Sequence, residues 1–530
     1  MYLYRNTDWI RLTIFIVAVG LATWLSWRPL THYGIYKSDL RQAPQWAAFH
    51  QDTFHPDDLL VKYGTYNESP VQNTIYWLGT WFCDMITLSK ILAVLSFGFI
   101  AALLYNIGQN WFDRTSGVLM ALFFIFLPDQ FDWSAGFFSR VWLLPGIIIT
   151  MYLLDNQRYN FLVLLFPFAA LTYPPAVPVC AIIAGIYLVL ITLDDLASVR
   201  QLFFYLAGGS ALALIILLLK YSHFPAFIGS MRPGSELLEM VEFYSGGMNR
   251  TPYLPTTPVI QEITSKLITP FSIVAGGFYF LVLGRRVAWE RSWTALLLAS
   301  ILGYFLADQL FLRLYFPNRF SRQTMALLLI LWNARNLRLI LQENRPRWVT
   351  QGIFCLVLMV GLWFYRGEYS QYRNAYDRRS VEQLCHFIRD VLPPEIMLAG
   401  KPKVMDDIPI QAQRSVLCNY KMAHPWFTTY YDEIKERTKA TYRAIYADNL
   451  AQVDYLYHQY GVSHLVLDQN SYHPKTLSKS IYVKPYSDYI KELIEGKERF
   501  LLQDPPEKNV VYRDGRFTIL RLPVVEVSGI

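Results

Sequence analysis

The segment RLYFPNRFSRQT (residues 313–324) lies between two strongly apolar runs, residues 293–312 and 325–331. It places three arginines within ten residues, at a point where an apolar chain would leave a membrane. Charged side chains at a membrane edge are costly unless they reach water or meet a partner of opposite sign. The side of the membrane that this segment faces, and the anion that it meets, therefore bear on both fold and function.

The composition of the chain is typical of a polytopic membrane protein. Of its 530 residues, 53% are hydrophobic, 16% are aromatic and only 17% are charged. A soluble protein of this length would carry about 25% charged residues. Tyr and Trp collect at bilayer interfaces. The net charge of +7 is then expected to serve topology and anionic headgroups, and we predict no nucleic-acid partner.

Membrane-spanning helices need roughly 20 apolar residues, and the chain offers about eleven candidates. The first follows Arg5, contains Arg11 and lacks a small-residue cleavage site after it, so we interpret it as a retained helix rather than a signal peptide. The candidate segments are 9–27, 86–106, 115–128, 141–155, 160–173, 176–193, 201–219, 268–284, 293–311, 323–340 and 349–365.

The distribution of Lys and Arg in short loops predicts the orientation of these helices. With a cytoplasmic N-terminus, the basic loops at 284–291 and 333–348 both fall inside. An odd number of spans then leaves everything after residue 365 outside. We therefore predict a transmembrane domain at residues 1–365, with long outer loops at 28–85 and 221–267, and an extracytoplasmic domain at residues 366–530.

In this topology Arg313, Arg319 and Arg322 lie on the outer face, against the charge rule. One interpretation is that they bind an anionic ligand at the outer leaflet, most simply a lipid phosphate or pyrophosphate, because the planar guanidinium suits phosphate well. The alternative is that they pair with Asp308 or other nearby carboxylates and only orient helices.

Acidic residues mark two of the outer loops. The first loop carries Asp39 in "YKSDLRQ", then Asp57 and Asp58 in "HPDD". Asp39 is the candidate catalytic acid, with a loop residue paired to a neighbouring Arg or Lys as the alternative. For the "HPDD" acids a helix N-cap is the favoured interpretation, and a metal or substrate role is the alternative.

The second acidic loop, "PDQFDWSAGFFSR", carries Asp129 and Asp132. Both are candidate metal or substrate ligands. Because they follow Pro128, they are equally suited to the start of a short interfacial helix. Arg140 ends this loop, and we interpret it as a residue that snorkels to the interface.

From about residue 366 the composition predicts a compact α/β domain. Segments 395–400, 414–420, 462–468 and 516–522 read as strands, and 381–393, 431–447 and 449–461 as helices, the last ended by Gly461. Cys385 and Cys418 lie in this domain and either pair, if it is extracytoplasmic, or stay as buried free thiols.

Acids and arginines together on an outer face fit the chemistry of glycosyl transfer from a lipid-linked sugar. Such a reaction needs a carboxylate near the attacking group, as base or metal ligand, and cations on the phosphate. Both must meet at the membrane surface, because the lipid tail of the donor stays in the bilayer.

This layout resembles the GT-C superfamily of membrane glycosyltransferases, which includes oligosaccharyltransferases, protein O-mannosyltransferases and aminoarabinose transferases. The matching features are Asp39 soon after the first helix, the acid pair in "PDQFDW", a long outer loop, the arginine segment "LYFPNRFSRQ" and a C-terminal mixed domain. By this resemblance Asp39 would be the base or a metal-coordinating acid, and Arg319 and Arg322 would hold lipid phosphate.

Two departures from the family pattern bear on a metal cofactor. Asp39 has no acidic neighbour, and the second pair is Asp-x-x-Asp rather than Asp-x-Asp. The resemblance implies a divalent cation, Mg or Mn, and these departures put it in doubt. No "WWDYG"-type sequence occurs, which disfavours protein N-glycosylation.

The sequence as a whole thus predicts an inverting glycosyltransferase in the cytoplasmic membrane of a bacterium. It would move a sugar from a polyprenyl-phosphate donor to a glycolipid, polysaccharide or protein acceptor. The alternatives are a transporter of lipid-linked glycans, a catalytically inactive scaffold of a polysaccharide assembly complex, and an O-antigen polymerase or ligase.

Overall fold

A computed structural model of the chain describes residues 9–192, 196–243, 290–310, 317–342, 375–473, 477 and 484–524. Among the described residues before 343, the regular elements are helices, one short strand and several single turns of 3₁₀ helix. Its helices are α1 (Trp9–Leu25), α2 (Trp27–Thr31), α3 (Pro44–Ala48), α4 (Leu59–Asn67), α5 (Pro70–Gly79), α6 (Met85–Trp111), α7 (Arg114–Phe126), α8 (Pro128–Ser134), α9 (Leu143–Asp155), α10 (Leu162–Thr172), α11 (Ala176–Ile191), α12 (Leu196–Tyr221), α13 (Gly234–Glu239), α14 (Arg291–Gln309) and α15 (Asn318–Gln342).

Nine of the eleven predicted apolar segments coincide with helices. The other two, 268–284 and 349–365, lie outside the described residues. Within the described part, α6 and α12 are long and apolar enough to cross a membrane by length and composition, whereas α1, α7, α10 and α11 are apolar but shorter. The helical character of the nine segments is confirmed, and eleven crossings stay a prediction.

In the helical part, α6 packs against both α1 and α7. The approach of α1 is close: a Cβ placed on Gly98 of α6 would meet Val19 at 2.6 Å. Farther along the chain, α12 packs on α10, and α14 packs on α11 and α15. Large apolar side chains such as Phe204, which is 71% exposed, cover the outside of α12. Such a surface suits contact with lipid chains rather than water.

The C-terminal part is an α/β domain, as predicted. Its five-stranded sheet has the order β4-β3-β5-β7-β6, in which β4, β3 and β5 are parallel and β7 and β6 run antiparallel to their neighbours. The strands are β3 (Met397–Gly400), β4 (Ser415–Val416), β5 (Val462–Asp468), β6 (Val510–Arg513) and β7 (Phe517–Arg521). The helices are α16 (Glu382–Val391), α17 (Pro402–Met405), α18 (Ile408–Gln411), α19 (Thr428–Ile445), α20 (Leu450–Tyr460) and α21 (Tyr486–Ile494).

The four predicted strands are confirmed, and β6 was not predicted. Helix α20 ends as expected at Gly461, which has a left-handed φ of 68°. Cys385 and Cys418 are buried free thiols, so the unpaired alternative is the one observed.

Segments of the loop at residues 28–85 belong structurally to the C-terminal domain. Strand β1 (Ile35–Lys37) pairs antiparallel with β2 (Ala375–Asp377). Tyr63 of α4 lies in the core of the C-terminal domain, where its ring stacks on Tyr430 at 3.8 Å between centroids. The loop is therefore anchored to the C-terminal domain at β1 and at α4. These contacts fix the position of the turn at residues 38–42, which carries Asp39.

Candidate functional site

A single turn of 3₁₀ helix, Ser38–Gln42, follows β1 and carries Asp39. Arg41 closes this turn, because its Nη2 donates to the Ser38 hydroxyl at 2.8 Å and its Nε to the Ser38 carbonyl at 3.1 Å. Leu40 and Arg41 are buried. The turn thus directs its apolar residue and its arginine inward and leaves the Asp39 carboxylate 29% exposed.

Two cations from distant parts of the chain contact Asp39. Arg140 Nη1 donates to Asp39 Oδ2 at 3.1 Å, and Lys421 Nζ lies 3.8 Å from Asp39 Oδ1. Burial alone would raise the pKa of Asp39, but Arg140, Lys421 and Lys37 outweigh it and hold that pKa well below its ordinary value. Asp39 is therefore a carboxylate at neutral pH.

The loop that presents Arg140 follows α8 and is built from a tight turn. Gly136 has a φ of +79°, and a Cβ there would lie 2.5 Å from the ring of Phe138, so the turn requires glycine. The hydroxyl of Tyr76 donates to the Gly136 carbonyl at 2.9 Å. The ring of Tyr76 in turn stacks on Trp46 at 3.6 Å between centroids. Helix α5 thereby fixes the loop that carries Arg140.

Three guanidinium groups gather on the indole of Trp133 in α8. The centroid of this ring lies 5.0 Å from Arg319, 5.3 Å from Arg322 and 5.7 Å from Arg140. The Trp133 Nε1 also donates to the Arg140 carbonyl at 2.9 Å. Cations over the face of Trp are attracted by its ring electrons. The arginines of α15 and the acidic turn of the first loop are therefore neighbours, linked through Trp133 and Arg140.

Asp132 faces the same cluster from α8. Its Oδ1 accepts a hydrogen bond from Lys37 Nζ at 2.5 Å, and the Lys37 side chain is only 2% exposed. Burial lowers the pKa of Lys37, an effect that Asp132 opposes. Asp129 is the second residue of α8, but its side chain lies outside the described part, as does the whole of Arg313.

The two acids of "HPDD" are placed differently. Asp58 is the N-cap of α4, where Oδ1 accepts from Leu60 N at 2.8 Å and Val61 N at 3.0 Å. Asp57 is 81% exposed and pairs with Lys62 at 2.8 Å. The structure thus confirms the helix N-cap interpretation for Asp58. The hydrogen bonds and the ion pair given above join both acids to α4.

A buried acidic pair between α17 and α18 anchors the site, and the sequence did not reveal it. The Asp406 carboxylate accepts from Arg41 Nη1 at 3.1 Å and from the backbone N–H of Lys421 at 2.7 Å. Asp407 accepts from the Tyr36 hydroxyl at 2.5 Å and from Arg378 Nε at 2.7 Å. Adjacent acids in "VMDD" carry no sequence signal that distinguishes them from helix-capping residues.

Lys421, the partner of Asp39 from the C-terminal domain, was also missed, because nothing in the surrounding "NYKMAHPW" marks it in the sequence. The expected alternative for Asp39 named Arg41 or Lys37 as its partner. The structure corrects this, since Arg41 binds Asp406 and the Lys37 ammonium binds Asp132. Sequence neighbours of an acid are not its spatial partners when the turn between them directs the side chains to different sides.

The expected divalent cation, Mg or Mn, would be bound mainly by carboxylate oxygens. Asp39 and Asp132 each have a cation within ion-pair distance, and no three His, Cys, Asp or Glu side chains within the described ranges form a metal-binding group. Asp129, a further candidate ligand, has its side chain outside the described part. The divalent cation therefore stays a prediction for this chain.

Comparison with known proteins identifies the fold. No protein-family profile and no curated protein matches the chain. Among solved structures, the oligosaccharyltransferase of Archaeoglobus fulgidus in its apo form matches with a TM-score of 0.52 and 12% identity, over 92% of this chain and 73% of that one. The same protein, AglB, in complex with an inhibitory peptide and a dolichol-phosphate matches with a TM-score of 0.53 and 13% identity, over 92% and 72%.

A third structure of that protein, in complex with Zn and sulfate, matches with a TM-score of 0.50 and 12% identity, over 90% of this chain and 70% of that one. At these identities the likeness concerns the fold. The chain therefore has the fold of the archaeal oligosaccharyltransferase, a GT-C glycosyltransferase, and the resemblance indicated by the sequence is confirmed at that level.

Proposed function

We propose that this protein is an inverting membrane glycosyltransferase that moves a sugar from a polyprenyl-phosphate donor to a glycolipid, polysaccharide or protein acceptor. It acts on the outer face of the cytoplasmic membrane of a bacterium, with an extracytoplasmic C-terminal domain. The observation that carries this proposal is the cluster in which Asp39 pairs with Arg140, while Arg140 and the α15 arginines lie over the ring of Trp133.

Each group in the cluster has a role in such a transfer. An acceptor hydroxyl attacks the sugar C1 on the face opposite the phosphate, and the bond between C1 and the phosphate oxygen breaks. The phosphate leaves with the electron pair, and Arg319 and Arg322 stabilise its charge. Asp39 accepts the proton of the acceptor.

The low basicity of Asp39 without a donor is compatible with this role, because a bound donor changes the charges around the carboxylate. With Arg140 and Lys421 beside it, Asp39 has a strongly lowered pKa and is a weak base. A phosphate group that draws these two cations toward itself removes them from Asp39 and raises its pKa. The carboxylate then becomes more basic only when the donor is bound, which protects the site from unproductive proton transfer.

The solved neighbours support a lipid-linked donor and a membrane location. One of them is a complex with an inhibitory peptide and a dolichol-phosphate. The exposed apolar surface of α12 supports contact with a bilayer in this chain. The acceptor here is assigned by chemistry only, as a nucleophilic hydroxyl or amide at the membrane surface.

The experiment is a transfer assay with the purified full chain and a panel of polyprenyl-phosphate sugars, in which release of polyprenyl phosphate is measured. We expect Asp39→Asn to reduce turnover by about 10²–10⁴-fold, the usual contribution of a general base. Arg319→Ala should reduce it by about 10²-fold through loss of phosphate stabilisation.

Two matched controls report on nonspecific effects of these changes. Asp488→Asn and Arg499→Ala alter side chains that are 86% and 77% exposed in the C-terminal domain, and both should leave turnover unchanged. Full turnover by Asp39→Asn and Arg319→Ala would remove the site assignment. A wild-type protein that binds the donor lipids yet consumes none of the panel would instead favour the transporter or the inactive scaffold.

A further inference from the structure

Helix α5 directs its polar side chains toward the protein. Gln72 and Tyr76 are fully buried. Gln72 Nε2 donates to the carbonyl oxygen of Phe137, and the Tyr76 hydroxyl donates to that of Gly136 at 2.9 Å. The inward face of α5 therefore holds the loop that carries Arg140 through hydrogen bonds.

The opposite face of α5, together with the turn that follows it, is apolar and exposed. This aromatic face consists of Trp77, Leu78, Trp81 and Phe82, whose exposed fractions run from 45% at Trp77 to 90% at Phe82. A helix on a water-facing surface has the reverse arrangement, with apolar side chains inward and polar ones outward. The aromatic face is therefore not built for contact with water.

The two indoles of the aromatic face have fixed positions. The centroid of the His50 ring lies 4.1 Å from that of Trp81 and 5.2 Å from that of Trp77. His50 Nε2 also lies 2.8 Å from the Trp77 carbonyl oxygen. Because a neighbouring segment holds both indoles, their exposure is a property of the fold rather than of loose side chains.

The aromatic face lies beside one end of a helix that can cross a membrane. Helix α6 is one of two helices within the described ranges that are long and apolar enough to do so. It begins at Met85, three residues after Phe82, and the predicted topology places this end of α6 at the outer surface. So few intervening residues keep the aromatic face close to the level at which α6 leaves the bilayer.

A further exposed indole lies near the same end of α6. Trp27 begins α2 and is exposed. Lys90 of α6 fixes α2 there, because its Nζ donates to the Pro29 carbonyl at 2.7 Å and to the His32 carbonyl at 3.0 Å. Trp side chains collect at bilayer interfaces. Indoles from two elements of the chain thus lie near the level expected for the interface.

We propose that α5 lies in the plane of the outer surface of the membrane, with its aromatic face inserted at the boundary between the headgroups and the acyl chains of phospholipids. Helices that carry Trp, Phe and Leu on one face bind membranes in this way. Through the hydrogen bonds of its inward face, α5 then sets the position of the Arg140 loop relative to the membrane. The inference goes beyond the proposed function, because this contact requires neither a donor nor the transfer of a sugar.

The first test measures the depth of residue 82 in a bilayer. The full chain, with its five cysteines replaced by alanine, carries Phe82→Cys labelled with a fluorophore and is placed in nanodiscs of phosphatidylcholine and phosphatidylglycerol. A fraction of the lipids bears a nitroxide quencher, either near the headgroup or at the end of the acyl chain. Interfacial helices lie about 5–10 Å deep in the boundary region, so the shallow quencher should act at least about twofold more strongly than the deep one.

Two other labelled positions calibrate the quenching. Leu212→Cys changes an exposed side chain of α12, within a predicted span, and the deep quencher should act on it more strongly than the shallow one. Tyr457→Cys changes an exposed side chain of α20 in the C-terminal domain, and neither quencher should act on it.

The second test keeps the native cysteines and measures hydrogen exchange of the backbone at residues 135–142, in nanodiscs without nitroxide. Trp81→Gln combined with Phe82→Gln removes half of the aromatic face. Exchange in the Arg140 loop should then rise about fivefold, because a loop whose support is weaker opens more often. Tyr457→Gln is the matched change of an exposed aromatic residue, and it should leave this exchange as it is in the wild type.

The outcomes separate the membrane contact from its effect on the loop. A label at residue 82 that neither nitroxide quenches would overturn the contact, whether water, a partner protein or a second copy of the chain surrounds it. Stronger quenching by the deep nitroxide would overturn the interfacial position. Shallow quenching with unchanged exchange in the loop would overturn the link to Arg140. Neither test depends on turnover, so a protein that fails the transfer assay can still uphold this inference, and an active one can overturn it.

Discussion

Two acidic clusters lie at the junction of the helical part and the C-terminal domain, and they differ in the solvent exposure of their carboxylates. The open cluster surrounds Asp39, and the closed cluster surrounds Asp406 and Asp407. Asp39 is 29% exposed and has its cations at 3.1 and 3.8 Å. Asp406 and Asp407 are 1% and 0% exposed and accept hydrogen bonds from Arg41, Tyr36 and Arg378. Both clusters are built from aspartate and basic side chains, so residue type alone does not separate them.

This difference in solvent exposure distinguishes a structural cluster from a candidate functional one. In the closed cluster the carboxylates are surrounded by protein donors, which leaves no place for a ligand and links β1 to the C-terminal domain. The open cluster keeps solvent access to a carboxylate and to cations that a substrate can recruit. An acid with a shifted pKa that is open to solvent, such as Asp39, is a candidate for a functional site. The buried acids Asp406 and Asp407 instead hold the residues around Asp39 in position.

The largest expected effect on stability comes from the closed cluster. Asp407→Asn leaves Arg378 without its buried counter-charge and should lower the free energy of unfolding by about 3 kcal/mol. The measurement is a thermal unfolding curve followed by near-UV circular dichroism, and the reactivity of Cys385 and Cys418, both buried in this domain, is followed with a thiol-reactive dye in a background where the other cysteines are replaced.

The matched control is Asp390→Asn, which removes an acid that is 56% exposed and pairs with Arg389 on the surface. It should change the unfolding midpoint little, because exposed ion pairs contribute about 0–1 kcal/mol. Equal midpoints for the Asp407 and Asp390 variants would contradict the structural role given to the closed cluster.

A smaller effect, on donor binding, is expected from substitution of Trp133, whose ring contacts three arginines. Trp133→Phe keeps an aromatic face but weakens its attraction for Arg140, Arg319 and Arg322 and removes the Nε1 donor. The apparent KM for the donor should rise roughly tenfold, since each such contact contributes about 0.5–2 kcal/mol. Turnover at saturating donor should change less.

The control for this substitution is Trp142→Phe. Trp142 follows Arg140 by two residues, donates from Nε1 to Gln72 at 3.3 Å, and packs its ring against the rings of Phe137 and Phe168. A KM that rises equally in both variants would indicate a general disturbance of the loop and not a specific role for Trp133.

The smallest expected effect is a pH dependence that distinguishes the two clusters. Burial and the neighbouring Asp407 raise the pKa of Asp406 from its ordinary value of 3.8 to about 7, although Arg41 and Lys421 oppose this. The folded protein then keeps a proton that the unfolded chain loses, so stability falls as pH rises from about 4 to about 7.

Asp406→Asn should remove this part of the decline, which is on the order of 1 kcal/mol between pH 6 and pH 7.5. Asp39→Asn should not change it, because the lowered pKa of Asp39 places its titration below this range. Unfolding followed by circular dichroism at several pH values checks both. A decline of the same size in Asp406→Asn and the wild type would assign it to another group.

The sequence by itself determined the local elements. Long apolar runs predicted helices at nine described segments, and β-rich runs predicted strands β3, β4, β5 and β7, because both follow from the periodicity of nearby side chains. The same holds for the cap at Asp58 and the left-handed glycine that ends α20. These features depend on residues within one or two turns of each other, which the sequence displays directly.

Only the tertiary structure decided which charges meet. Asp39 was recognisable as a candidate acid, but its partners Arg140 and Lys421 lie 101 and about 380 residues away, and the turn at Ser38 directs its neighbours Lys37 and Arg41 to other acids. The meeting of Arg319 and Arg322 at Trp133 likewise depends on how α15 packs near α8. Long-range ion pairs follow from the packing of whole elements, and no local pattern in the chain encodes that packing.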